Sequence, residues 1–310
     1  MQGLPRYGPT TAFPSGPASP ASGEIRADVR WYRQPRVRKM GALLGIYVIM
    51  IAVAAIVIFP VYWMFSISLK LPKEIYRMPS LVPDNPTWAN YRTLIEKKDY
   101  LTNIRNSIIV SSSVTVVSLL ISSFAAYSIV RFRYRFRGLV GRIILLTYLT
   151  PGSLLFIPLS IIVAKLHLGN SLYGLVILYL TFSIPLSTWL LSGYFRSVPA
   201  DLEEQAMVDG TSQLGALFRI LLPLSLPGLA AVAIFTFTAA WNELLFALIF
   251  ITSEEKRTVP LGLQYLMTGD VLLWGPIMAG ATLAALPVML LYFIAQRFMV
   301  RGVTAGSVKG

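Results

Sequence analysis

Between Gly41 and Ile67 the chain runs for 27 residues without a charged side chain. At 1.5 Å per residue, a helix of that length crosses the roughly 30 Å hydrocarbon core of a bilayer. In lipid the backbone N–H and C=O groups have no water to bond, so a spanning segment satisfies them internally. Five further apolar runs follow, at about Ile104–Val130, Leu139–Val163, Leu172–Phe195, Leu226–Ile251 and Pro276–Met299. Composition points the same way. The chain is 55% hydrophobic and 13% charged with a mean hydropathy of +0.65, whereas a soluble domain carries about a quarter charged residues. The expected fold class is therefore an all-α integral membrane protein with six transmembrane helices. Pro60, Pro151, Pro158, Pro185 and Pro287 fall inside these runs, which membrane helices tolerate where neighbours satisfy the freed backbone groups. No repeat with a solenoid-like period is present, so array architectures drop out.

The net charge of +13 does not indicate nucleic acid, because the basic residues gather at the ends of apolar runs. With the N-terminus inside, 17 Lys and Arg lie on the inner side and 10 on the outer. The short loop Arg131–Arg137 holds four arginines between two spans, a placement that belongs to the cytoplasm. Both termini and the Glu203–Arg219 segment are accordingly expected to be cytoplasmic. Residues 1–40 form an N-terminal tail: Met1 to about Ser22 reads as disordered, and Glu24–Lys39 as a basic juxtamembrane stretch. Its arginines serve as a topology signal or bind lipid headgroups. Residues 41–299 form the transmembrane domain and 300–310 a cytoplasmic C-terminal tail. The absence of cysteine excludes disulfides, Fe–S clusters and thiolate zinc sites. Two outer connections, Lys70–Leu101 and Thr252–Trp274, are too short to be folded domains but can touch an external partner.

The segment from Glu203 to Gly228, "EEQAMVDGTSQLGALFRILLPLSLPG", interrupts the apolar pattern. Pro199 suits a first helical turn, and Asp201 with Glu204 resembles a capping box. A short helix is expected from about Pro199 to Val208, ended by Asp209-Gly210, since glycine accepts a left-handed conformation. Thr211 or Ser212 can cap a second helix through about Arg219. The cytoplasmic pair at about 199–219 carries an apolar stripe of Leu202, Ala206, Leu214, Leu217 and Phe218. It is either an amphipathic connector or a docking element for a cytosolic partner.

Within it, "EQAMVDG" followed by nine residues and "ILLP" fits the pattern E-A-A-x-x-x-G-x(9)-I-x-L-P. This resembles the signature of the membrane subunits of bacterial ABC importers. Glu204, Gln205, Ala206, Gly210, Ile220, Leu222 and Pro223 occupy its positions, with Gln205 departing from the family's usual alanine. "NPTWANY", "AAYSIVRFRYRFRG", "WNELLFAL" and the ending "GSVKG" resemble carbohydrate-uptake permeases of the maltose-transporter type; only the first 40 residues fall outside the likeness.

The resemblance implies a type I importer architecture in the bacterial plasma membrane. Two permease subunits, the second a different chain, form the pathway; two ATPase subunits drive it, and an extracytoplasmic solute-binding protein delivers a di- or oligosaccharide. A glycerol-phosphate-type solute is the alternative within the same family. By analogy Glu203, Glu204, Gln205, Ala206, Asp209, Gly210, Ile220, Leu222 and Pro223 would couple the chain to the ATPase. Gly262, Gln264 and Tyr265, in the outer loop before the last span, would meet the binding protein. No G-x-x-x-x-G-K-[ST] loop occurs, so ATP and Mg are expected on the partner ATPases and no cofactor, metal or catalytic residue on this chain.

One acid stands inside a span. Glu243 follows Trp241 and Asn242, and an ionisable group at such depth is costly and by default functional. Two readings stand: contact with sugar hydroxyls in the pathway, with Asn242 and Trp241 assisting, or a structural hydrogen bond to the partner permease. The stretch "LTYLTPG", with Tyr148, Thr150 and Pro151, can form a kink that faces the pathway or pack in the interior. His167 reads as a solvated loop residue. A multi-span enzyme would need an acid–base or metal set within the spans, and only Glu243 qualifies. A stand-alone transporter would show matched halves, which are absent.

Overall fold

The computed structural model describes residues 35–77, 80–267 and 273–306. The chain divides into two compact units, Met1–Ile56 and Val57–Gly310. In the first, the described residues are helical and form the beginning of α1 (Pro35–Ser68). This helix starts before the expected Gly41, because arginine and lysine favour helix and sit well at the polar end of a membrane segment. The expectations for Met1–Gln34 lie outside the described residues.

Among its described residues the second unit consists of helices joined by turns and short irregular connections. Its main elements are α2 (Tyr100–Arg131), α3 (Arg137–Leu149), α4 (Phe156–Lys165), α5 (Leu172–Ser197), α6 (Asp201–Val208), α7 (Gln213–Leu224), α8 (Leu226–Trp241), α9 (Leu245–Phe250), α10 (Val259–Leu266) and α11 (Trp274–Gly306). Lys39–Ser68, Tyr100–Arg131, Leu172–Ser197 and Trp274–Phe298 are each long and apolar enough to cross a membrane. The pair α7 and α8, bent by 79°, adds a possible fifth crossing.

Two of the six expected spans are broken. The stretch Leu139–Val163 is divided into α3 and α4, of 13 and 10 residues. The cause is Pro151: it disfavours helix at the residue before it, and Thr150 takes an extended ψ of 122°. The stretch Leu226–Ile251 stops at Trp241 and restarts at Leu245. Pro60, Pro185 and Pro287, by contrast, stay inside continuous helices, as expected.

The packing is that of a membrane protein: apolar clusters and small polar side chains share the interior, and many large apolar side chains face outward. Along α2, Asn103, Asn106, Ser107, Ser111, Ser118 and Ser122 are buried, while Ile109, Val116, Leu120 and Phe124 are exposed. Small residues let helices approach, and their hydroxyls bond across the gap. Ser118 Oγ donates to Ser187 Oγ at 3.1 Å, and Ser187 shares a 3.0 Å bond with Thr236, joining α2, α5 and α8. Gly228 of α8 lies so close to the Tyr194 ring of α5 that a Cβ would overlap it. At the end of the bundle holding the α5–α6 junction, Ala126, Tyr127, Leu191, Phe195, Leu217, Leu221 and Val232 form an apolar cluster. This cluster seats α7 against α2, α5 and α8.

Candidate functional site

The α6–α7 element is built by local chemistry. α6 begins at Asp201, not Pro199, and no side chain caps it: Ala200 holds the cap position and Asp201 lies within the first turn. The expected capping box is therefore absent. Asp201, Glu203 and Glu204 still place three acids in that turn, where they complement the positive helix end. At its far end the helix closes with two reversed bonds, Thr211 N to Ala206 O at 2.9 Å and Gly210 N to Met207 O at 3.1 Å. This is the Schellman arrangement, which needs a left-handed residue after the cap; Gly210 supplies it at φ +91°. Of the two capping candidates, Ser212 is used, accepting from Gly215 N at 3.2 Å. The second helix runs beyond the expected Arg219 to Leu224 through a π turn at Leu217–Leu221. Pro223 offers no N–H to the Arg219 carbonyl, and the widened turn accommodates its ring.

The two neighbouring glutamates face opposite ways. Glu204 is exposed, whereas the Glu203 carboxylate is 3% exposed and accepts from Arg131 Nε at 2.7 Å. Arg131 also donates to the Val198 carbonyl at 2.8 Å, and Tyr127 OH donates to the Gln213 carbonyl at 3.1 Å. The end of α2 thus grips both α6 and the start of α7. Sequence reading placed Arg131 among the topology arginines and missed this role. The signal available was an unpaired acid in one loop and an excess of arginine in another.

The expected stripe is divided. Leu217 is buried, while Leu202, Leu214 and Phe218 are exposed, Phe218 with its edge against Phe124 at 5.9 Å between ring centres. At the tip, Val208 is 88% exposed beside exposed Gln205, Met207, Asp209 and Gly210; Ala206 is half-buried. Ile220 and Leu222 are half-buried, Leu222 against the cluster of Leu217 and Leu221, and Pro223 is exposed.

The intramembrane candidates are not brought together. Trp241 is buried and stacks on Phe237 at 5.6 Å; Asn242 is exposed and bonds back to Thr238 O at 2.9 Å. Tyr148 is exposed on α3 and lies outside the cavity that holds Glu243. Glu243 itself restarts the helix: its carboxylate accepts from Phe246 N at 3.0 Å and Ala247 N at 3.3 Å. It caps α9 while lining a cavity of about 370 Å³ with Gly152, Tyr179, Phe182 and Ser183. The Tyr179 hydroxyl is buried without a hydrogen bond of ordinary length, within electrostatic reach of that carboxylate. Sequence reading missed Tyr179, which no pattern distinguishes from the other aromatics of α5.

On the opposite end, α10 carries the three expected contact residues. Gly262 is buried, and a Cβ there would overlap the Asn103 side chain, so it is a packing position and no surface contact. Gln264 is half-buried, and Tyr265 is exposed beneath the Arg257 guanidinium, 3.8 Å from its ring centre. The preceding loop is tied down by Asn106, whose Nδ2 donates to the carbonyls of Glu255 at 2.7 Å and Arg257 at 3.0 Å. Asn170, at φ +47°, accepts from Thr252 N and Ser253 N at 3.1 and 3.0 Å. His167 sits in the same short turn as Asn170, at φ +54°. The end of this outer connection, residues 268–272, lies outside the described residues, as does Ser307–Gly310 of the C-terminal tail.

Comparison with known proteins returns one family model, the binding-protein-dependent transport system inner membrane component, matched over residues 118–305. Among curated proteins, the inner membrane ABC transporter permease protein YcjP of Escherichia coli is 34% identical over 86% of this chain and 96% of its own length. The diacetylchitobiose uptake system permease protein DasC of Streptomyces coelicolor is 36% identical over 82% and 92%. The trehalose/maltose transport system permease protein MalG of Thermococcus litoralis is 35% identical over 84% and 94%. The fold is that of a chain in the crystal structure of a bacterial ABC transporter involved in the import of the acidic polysaccharide alginate. There the TM-score is 0.69 at 22% identity, over 85% of this chain and 98% of that one.

Proposed function

The chain belongs to the family of binding-protein-dependent transport system inner membrane components, multi-pass ABC permeases of the bacterial inner membrane, and on that premise we propose that it is the permease subunit of an ATP-driven sugar importer. Its solute is a di- or oligosaccharide. The support is that relatives at 35–36% identity are named for trehalose/maltose and diacetylchitobiose. A solved complex of like fold contains an alginate pentasaccharide-bound periplasmic protein, which supports a solute-binding protein as external partner. A second permease completes the pathway, and two ATPase subunits carrying ATP and Mg supply the work.

The observation that carries the coupling role is the asymmetry of α6. Its inner side is fixed by the buried Arg131–Glu203 pair, and its outer side presents Glu204 and an unshielded Val208. A helix held that firmly, with an apolar tip in the cytoplasm, is a lever with one free end. Closure of the ATPases pushes the tip, α7 transmits the push through Ile220 and Leu222, and the bend at Ser225 converts it into a swing of α8. This is alternating access by rigid-body motion. Tyr265 and Gln264 form the outer contact with the binding protein, and Glu243 with Tyr179 offers hydrogen bonds to sugar hydroxyls. The test is co-purification with the soluble ATPase: Glu204→Lys and Gly210→Pro are expected to lose it. Transport by this chain alone in liposomes, without ATP, would overturn the proposal.

A further inference from the structure

A second cavity, of about 380 Å³, opens between the first turns of α3 and the last turns of α5. Arg137, Arg142 and Arg196 line it, and none of its lining residues is acidic. Among the described residues, Arg142 and Arg196 make no ion pair or side-chain hydrogen bond; Arg137 makes one long contact, 3.4 Å, to the Phe132 carbonyl. All three side chains are exposed; gathered around one concavity, they give it a positive potential that favours an anion.

Thr188, 1% exposed, forms part of the cavity wall, with its hydroxyl sealed from solvent behind it. The N-terminus of α3 also opens here, and no side chain caps it. Arg137 N bonds the Tyr134 carbonyl at 3.3 Å, but among the described residues Gly138 N and Leu139 N have no backbone partner, and with the helix dipole they favour negative charge. Trp189, half exposed on the rim, suits the interface between headgroups and hydrocarbon. Gly141 and Gly193 keep the walls low.

We propose that this cavity binds the phosphate of an anionic phospholipid, its acyl chains lying along the apolar outer faces of α3 and α5. The depth of the site fits that ligand. It lies at the end of the bundle that carries Arg131 and the α5–α6 junction, where the arginine excess places the cytoplasmic leaflet. Basic pockets between helices on that side are suited to phospholipid headgroups. The lipid would bridge α3 to α5, and through α5 the segment leading into α6. The site rests on this end lying at the inner leaflet and not on the transported solute, so its failure leaves the transport reading intact.

The experiment is titration of phosphatidylglycerol into the full-length protein purified in neutral detergent, with bound lipid counted by native mass spectrometry. One tightly retained lipid is expected, and Arg142→Gln with Arg196→Gln should weaken its retention at least tenfold. Arg133→Gln with Arg135→Gln removes equal charge from the neighbouring loop outside the cavity and should change retention little. Phosphatidylcholine should not substitute. Competition by millimolar inorganic phosphate, with no preference for the lipid, would assign the site to a free anion and overturn the proposal. Equal losses from the two double variants would also overturn it, as they would reflect general charge attraction only.

Discussion

Adjacent glutamates with opposite fates show how far a residue's chemistry depends on what the fold brings to it. Glu203 and Glu204 are identical as text, yet one is sealed against Arg131 and the other faces solvent. Removing one member of a buried pair leaves the other charged and unpaired, a cost of about 3–5 kcal/mol, while removing both costs much less. Arg131→Gln and Glu203→Gln are therefore each expected to lower the thermal midpoint in detergent. The double variant should recover a substantial part of that loss, while ATP-coupled uptake stays impaired in all three. Additive losses would mean that the pair does not hold α6. The family likeness names Glu204 and Gly210 from spacing alone. It says nothing of Arg131, because the pairing joins positions 72 apart in sequence, and only packing reveals it.

Among the helices, the legible part was the continuous apolar stretch. α1, α2, α5 and α11 lie where unbroken hydropathy places them. Hydropathy fails where an apolar run hides a backbone break, because it measures transfer to lipid and is blind to hydrogen-bond continuity. Thr150-Pro151 carried a visible warning. The break at Asn242–Leu244 carried none except Glu243, whose two expected roles were sugar contact and a bond to the partner permease, and whose carboxylate caps α9. That cap makes a separable prediction. Glu243→Leu removes the acceptor for Phe246 N and Ala247 N and should cost about 1 kcal/mol of stability, read as a lower thermal midpoint. Glu243→Gln keeps an acceptor and should hold the midpoint. If the same carboxylate also binds sugar, Glu243→Gln still lowers uptake; unchanged uptake in both variants would confine Glu243 to capping.

Taken together, the bundle has one end stitched by asparagine side chains around the Thr252–Thr258 loop and another end organised around Arg131. The side assignment rests on arginine count, and the lever reading rests on α6 meeting a driven partner at that inner end. The chain's lack of cysteine makes both open to one measurement. A Val208→Cys variant is assembled with partners freed of cysteine and reconstituted in proteoliposomes, and uptake of a labelled disaccharide is followed before and after a bulky, membrane-impermeant thiol reagent is applied from the ATPase side. The account predicts ATP-dependent uptake that modification abolishes, with no effect of the reagent from the binding-protein side. Uptake that persists after complete modification, or that proceeds without ATP, would contradict it.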